Sequence, residues 1–123
     1  MNLEERRESY ESAGLDVNDA SADPFDQFGR WYHDAEDAEL WEPDAMVVSV
    51  VDAAGWPTSR YVLMKHFDAS GFVFYTNYQS AKGVALQAAD RAAITFGWLP
   101  LRRQVRVLGS VARVSPEESS EYF

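Results

Sequence analysis

The sequence predicts a mainly β, α+β domain in which antiparallel strands follow one another and helices flank them. Five runs of strand length are rich in β-branched and aromatic residues: Ala45–Val51, 58–65, 72–77, Arg91–Gly97 and 103–113. Turn-forming stretches, Asp52-Ala53-Ala54-Gly55-Trp56-Pro57 and Asp68-Ala69-Ser70-Gly71, separate the first three runs, so these return antiparallel as a meander. Ahead of them all, Asp23-Pro24 sets one strong helix start, with Asp as N-cap and Pro at the first helical position.

A chain of 123 residues with 46% hydrophobic and 14% aromatic content suits one folded domain and argues against disorder. No apolar run approaches the ~20 residues that span a bilayer, and the charged N-terminus lacks the apolar core of a signal peptide. The absence of cysteine excludes disulfides and thiolate chemistry, and with the preceding features it predicts a cytoplasmic protein. The net charge of −9 is unevenly spread, with −12 over residues 1–59 and +3 over residues 60–123. An acidic surface argues against nucleic acid as a partner, whereas a local basic cluster suits a small anionic ligand.

Residues 1–22 read as a mobile arm, with one short helix from Leu3 to Ser12 and a polar linker from Asp16 to Asp23. The domain proper covers 23–123. In its first helix, read over 24–40, Phe25, Phe28, Tyr32 and Ala35 recur at helical spacing, and Trp31 broadens that face. Such an aromatic stripe signals packing. Pro43 closes the region and Ala45–Val51 follows as the first strand.

The second strand, Arg60-Tyr61-Val62-Leu63-Met64-Lys65, places a cation at each end of an apolar run. Either it is an edge strand whose ends are hydrated, or its cations hold an anion. Strict alternation puts Arg60, Val62 and Met64 on one side and Tyr61, Leu63 and Lys65 on the other. Service of one site by both cations therefore requires a bulge, a twist or a second subunit.

Beyond the third strand, Ser80 reads as the N-cap of a helix to Ala89, with Lys82 in its first turn. A cation there opposes the helix dipole unless an anion is also bound, which marks Lys82 as a candidate ligand beside the reading of a solvated lysine. Trp98-Leu99-Pro100 reads as a turn. In the fifth strand Val105, Val107 and Val111 face a core, while Gln104, Arg106 and Ser110 face away. Ser115-Pro116-Glu117-Glu118 forms a capping box with few residues after it, so the chain reads as truncated at its C-terminal end.

His33 and His66 offer no metal-ligand spacing, and no G-x-S-x-G elbow, P-loop or G-x-G-x-x-G is present. Scattered Arg, Lys, Ser, Thr, Tyr and Gln on a β-rich frame fit a phosphorylated cofactor that carries the redox chemistry.

Five fragments in order, Ala45-Met46-Val47-Val48, Arg60 to Lys65, Phe74-Tyr75-Thr76-Asn77, Ser80-Ala81-Lys82-Gly83 and Pro100 to Val107, followed by Glu121-Tyr122-Phe123, resemble the pyridoxamine 5′-phosphate oxidase family. The resemblance runs from about Asp23 to Phe123. It implies an antiparallel FMN-binding split β-barrel with flanking helices, and FMN at the interface of a homodimer. It places Arg60, Tyr61, Val62, Leu63, Met64, Lys65, Tyr75, Thr76, Lys82 and Gln104 at the cofactor, and Lys65 and Tyr122 at the substrate phosphate. The implied reaction is oxidation of pyridoxamine or pyridoxine 5′-phosphate to pyridoxal 5′-phosphate with oxygen as acceptor; no residue is singled out as catalytic.

Two departures bear on that implication. Ala81 stands where the family usually has Arg, which removes one phosphate cation. The family also continues past Tyr122-Phe123 into a segment that completes the substrate site. A flavin-binding split-barrel module without oxidase activity is therefore the competing expectation, and a split-barrel reductase using another flavin-like cofactor is a third.

Overall fold

A computed structural model of the chain describes residues 20–75 and 89–112. The expected helices at Leu3–Ser12 and Ser80–Ala89, and the capping box at 115–118, lie outside the described residues. The described elements are α1 (Pro24–Asp37), β1 (Ala45–Val51), β2 (Pro57–Asp68), β3 (Gly71–Phe74), β4 (Arg91–Trp98), a 3-10 turn at Leu99–Leu101, and β5 (Arg103–Ser110). They belong to two compact units, Met1–Pro43 with Gly97–Gln104, and Asp44–Phe96 with Val105–Phe123.

In the first unit, the Asp23 side chain accepts the Phe25 N–H at 2.9 Å and caps α1, with Asp26 favourably placed in the first turn. Phe28 and Ala35 are buried, and Phe28, Tyr32 and Trp98 form a ring cluster with centroids 5.8–6.3 Å apart. The helix stops three residues short of the expected end. The Leu40 N–H reaches the Ala35 carbonyl at 3.2 Å and the Glu39 N–H the Glu36 carbonyl at 2.9 Å, with Glu39 left-handed at φ 55°. This is a Schellman closure in which glutamate occupies the position that usually falls to glycine. Acidic Glu36, Asp37 and Glu39 also oppose the negative end of the helix, which disfavours further propagation.

The strands form one five-stranded sheet in the order β3-β2-β1-β4-β5. The expected meander β1-β2-β3 is present, and β1 also pairs antiparallel with β4. Along β1 the even residues Met46, Val48 and Val50 are buried, and their partners Val62, Ile94 and neighbouring Phe96 share that side. Phe72 links this core to Phe67 and Phe96 through ring contacts of 6.3 and 6.0 Å.

Strand limits differ from expectation at four places, and β5 is one of them: it ends at Ser110, three residues before the expected Arg113. β2 runs on to Asp68, because His66, Phe67 and Asp68 pair with β3. β3 itself ends at Phe74. Trp98, read from sequence as a turn residue, is the buried last residue of β4, and its indole N–H donates to the Pro43 carbonyl at 2.9 Å. It continues the inward parity of Ile94 and Phe96, and a buried indole needs an acceptor, which the Pro43 carbonyl provides. Among the described residues, no helix is long and apolar enough to cross a membrane.

Candidate functional site

β2 presents the marked residues on two sides. Val62 and Met64 point into the core, whereas Tyr61 is 75% and Leu63 39% exposed. Their burial follows from register: Val62 pairs with buried Met46, while Tyr61 pairs with Val47, which in turn pairs with Thr95 of β4. One row further along, Ser59, Ser49 and Ala93 stand side by side, and the two serine hydroxyls lie 2.7 Å apart. The outer face of this unit is thus an exposed apolar strip on a floor of small and hydroxyl-bearing residues. Such a floor admits a flat ring at close range.

Arg60 and Lys65 bracket the strip. Both are exposed, and among the described residues neither is paired with a carboxylate. Arg60 lies opposite Val48, on the same side as Val62 and Met64 by alternation, at the margin of the buried cluster. Lys65 lies five residue steps along the strand, a span of about 16 Å.

Lys65 occupies a β-bulge. Met64 pairs with Phe74 and His66 with Val73, so Lys65 is an extra residue without a partner on β3. The bulge reverses parity: before it, even residues face the core, and after it Phe67 does so, stacked on Phe72. A device expected only as one of three ways to re-aim a cation thus sits at the cation itself. Directly beyond, His66 pairs with Asp68 at 3.1 Å. The Ser70 backbone N–H, and secondarily His66, hold the Asp68 carboxyl below its ordinary value.

Tyr75 follows β3 directly and is half-buried, one residue from the Phe74 that pairs with Met64. Gln104 belongs to the other compact unit and is exposed near the start of β5. Thr76, Lys82 and Tyr122, together with Ala81, lie outside the described residues. The structure therefore sets Arg60 to Lys65 along the middle of β2, with Tyr75 beside the Lys65 end of that run. Sequence reading did not single out Ser49, Ser59 or Thr95; their signal was the alternation of β1 and β4 once register is known.

The exposed strip, the hydroxyl floor and the unpaired cations fit a flat aromatic ring carrying a phosphate, the chemistry of FMN. A shallow apolar hollow at the Ser49 and Ala93 end of this floor, bounded also by Val51, Pro57 and Leu108, includes neither Tyr61 nor Leu63. Its one cation is Arg91, and it offers a poorer match.

A family model described as pyridoxamine 5′-phosphate oxidase matches residues 32–123. The pyridoxine/pyridoxamine 5′-phosphate oxidase of Bordetella petrii is 50% identical over 123 residues, covering 100% of this chain and 59% of its own length. The same-named protein of Cupriavidus necator is 49% identical over 121 residues, covering 98% of this chain and 57% of its own. The chain thus spans somewhat more than half the length of the curated relatives it matches. Among solved structures, PhzG from Burkholderia lata 383, in complex with tetrahydrophenazine-1-carboxylic acid, superposes with a TM-score of 0.79 at 24% identity, over 88% of this chain and 55% of its own. A pyridoxamine 5′-phosphate oxidase-related, FMN binding protein from Nostoc punctiforme PCC 73102 gives 0.59 at 21% identity, over 74% and 51%. These two similarities establish the fold, an antiparallel split barrel.

Proposed function

The chain belongs to the pyridoxamine 5′-phosphate oxidase family, and on that premise we propose that it binds FMN and oxidises pyridoxamine or pyridoxine 5′-phosphate to pyridoxal 5′-phosphate as a cytoplasmic homodimer. The observation that carries this reading is the exposed Tyr61–Leu63 strip, flanked along β2 by two exposed cations, Arg60 on the opposite side and Lys65 at the bulge. When bound, the flavin supplies a hydride acceptor at N5 for the substrate C4′ carbon and passes the electrons to oxygen.

The residues of this chain bind and orient. Tyr61 and Leu63 lie against the ring and displace water from it, with backbone groups of the strand completing the contact. Arg60 holds the cofactor phosphate, and Lys65 reaches the substrate phosphate. One observation supports that division: the bulge re-aims Lys65 independently of Arg60. Tyr75, Thr76, Lys82 and Gln104 complete the cofactor contacts, and Tyr122 joins Lys65 at the substrate. A homodimer, with FMN at its interface, gives the exposed strip a second wall.

The purified protein is expected to be yellow and to release FMN on denaturation. Arg60→Ala should weaken FMN binding more than Arg113→Ala does. A colourless protein that takes up no added FMN sinks the reading. FMN binding without pyridoxal 5′-phosphate formation from either substrate identifies a flavin-binding module instead of an oxidase.

A further inference from the structure

The shallow hollow beyond the Tyr61–Leu63 strip lies wholly within the second compact unit, where the ends of β1 and β5 meet the starts of β2 and β4. Register holds these four ends together: Val51 pairs with Pro57, Ser49 pairs with Ala93, and the Val111 N–H donates to the Asp90 carbonyl at 3.0 Å. Small residues, among them Ala92, Ala93 and Gly109, line the hollow, and two large apolar side chains stand exposed at its rim, Val51 at 61% and Leu108 at 73%. Apolar groups left in water beside a concave apolar surface mark an interaction site.

Two charges border the same hollow, Asp90 and Arg91, adjacent in the chain. Neither side chain is in an ion pair among the described residues. An acidic partner would answer only Arg91, and a basic partner only Asp90. A second copy of this chain answers both. An isologous contact, in which the same patch meets itself about a two-fold axis, requires a surface that complements itself. This patch does so twice, with a projecting leucine beside a hollow and with opposite charges side by side. A two-fold axis passing between Asp90 and Arg91 brings each charge of one copy to the opposite charge of the other.

We propose that this hollow is where a second copy docks, with Leu108 of each copy seated in the hollow of the other and Arg91 of each paired with Asp90 of the other. This rests on the homodimer reading above and names its contact surface, without requiring FMN. The hollow adjoins the Ser49 and Ala93 end of the outer floor, so a copy seated here extends over the face that the strip occupies.

The test is charge exchange, read as the dimer dissociation constant from sedimentation velocity at micromolar concentrations. Arg91→Asp places carboxylates opposite each other twice over in the symmetric contact, and Asp90→Arg does the same with guanidiniums. Each is expected to raise the constant about a hundredfold. Asp90→Arg combined with Arg91→Asp restores opposite charges across the axis at unchanged net charge, and the constant is expected to return to within about fivefold of wild type. Leu108→Ala should raise it about tenfold. The Val111 bond uses the Asp90 backbone, so none of these changes removes it. Should a reversal lack a cooperative urea transition, Arg91→Gln and Asp90→Asn carry the cycle, and their losses should be less than additive when combined. A monomeric wild type, single reversals that leave the dimer intact, or an exchange as weak as either reversal overturns the proposal. FMN titration of the wild type is read separately: a dimer that binds no FMN overturns the cofactor reading and leaves this one, and a monomer that binds FMN does the reverse.

Discussion

The indole N–H of Trp98 donates to the carbonyl oxygen of Pro43 at 2.9 Å, joining the last residue of β4 to the chain just ahead of β1. Trp98 is 3% exposed and packs on Phe28 and Tyr32. Trp98→Phe keeps an aromatic ring but removes the donor, leaves the Pro43 carbonyl unpaired and opens a small cavity. The expected loss is about 2–3 kcal/mol. Urea unfolding checks it, and a loss below about 0.5 kcal/mol would show that the bond is replaced by water.

The bulge at Lys65 leads to a less intuitive expectation. Lys65 pairs with nothing on β3, and the β1 ladder with β2 has already ended at Ala45–Leu63. Deleting Lys65 would leave Met64 opposite Phe74, His66 opposite Val73 and Phe67 opposite Phe72, a regular ladder with Phe67 still facing the core. The deletion variant is therefore expected to fold with a urea midpoint close to wild type while losing affinity for the substrate phosphate. A loss of several kcal/mol on deletion would show instead that the bulge supports the strand twist.

Much of this was readable in the chain, and the remainder has physical reasons. The alternation of β2 and β5 and the Asp23-Pro24 start were legible because period-2 burial and capping are local signals. The ends of elements were not. α1 stops where three carboxylates meet the helix C-terminus, a balance of small terms, and β2 is prolonged only by pairing with β3, a non-local event. Trp98 was misplaced because Gly97 and Pro100 read as a turn, although its parity with Ile94 and Phe96 already pointed inward. On the candidate site, the cations at the two ends of the strip were visible in sequence. The bulge at Lys65 was not, since a bulge exists only relative to a partner strand.

Glu39 closes α1 in the left-handed region at φ 55°, where a side chain costs free energy that glycine avoids. It also brings a negative charge to the negative end of the helix. Glu39→Gly relieves both, against the extra backbone entropy of glycine in the unfolded chain. The net expectation is a gain of about 0.5–1 kcal/mol, seen as a higher urea midpoint with an unchanged slope. Glu39→Ala, which relieves only the charge, should gain less.

Asp68 makes stability depend on pH in the acidic range. Its carboxyl is held below the ordinary 3.8, first by the Ser70 backbone N–H and then by the His66 side chain. The Ser70 N–H donates to one oxygen at 2.7 Å and His66 lies 3.1 Å from the other. A carboxylate whose folded value is lowered contributes stability that is present above the unfolded value and is lost as pH falls through the folded one. The melting temperature of the wild-type protein should therefore drop more steeply below about pH 4 than that of Asp68→Asn. His66→Ala should retain most of that steepness, because the backbone N–H is the larger cause. If His66→Ala flattens the acid limb as fully as Asp68→Asn does, the imidazole and not the Ser70 N–H holds the carboxylate.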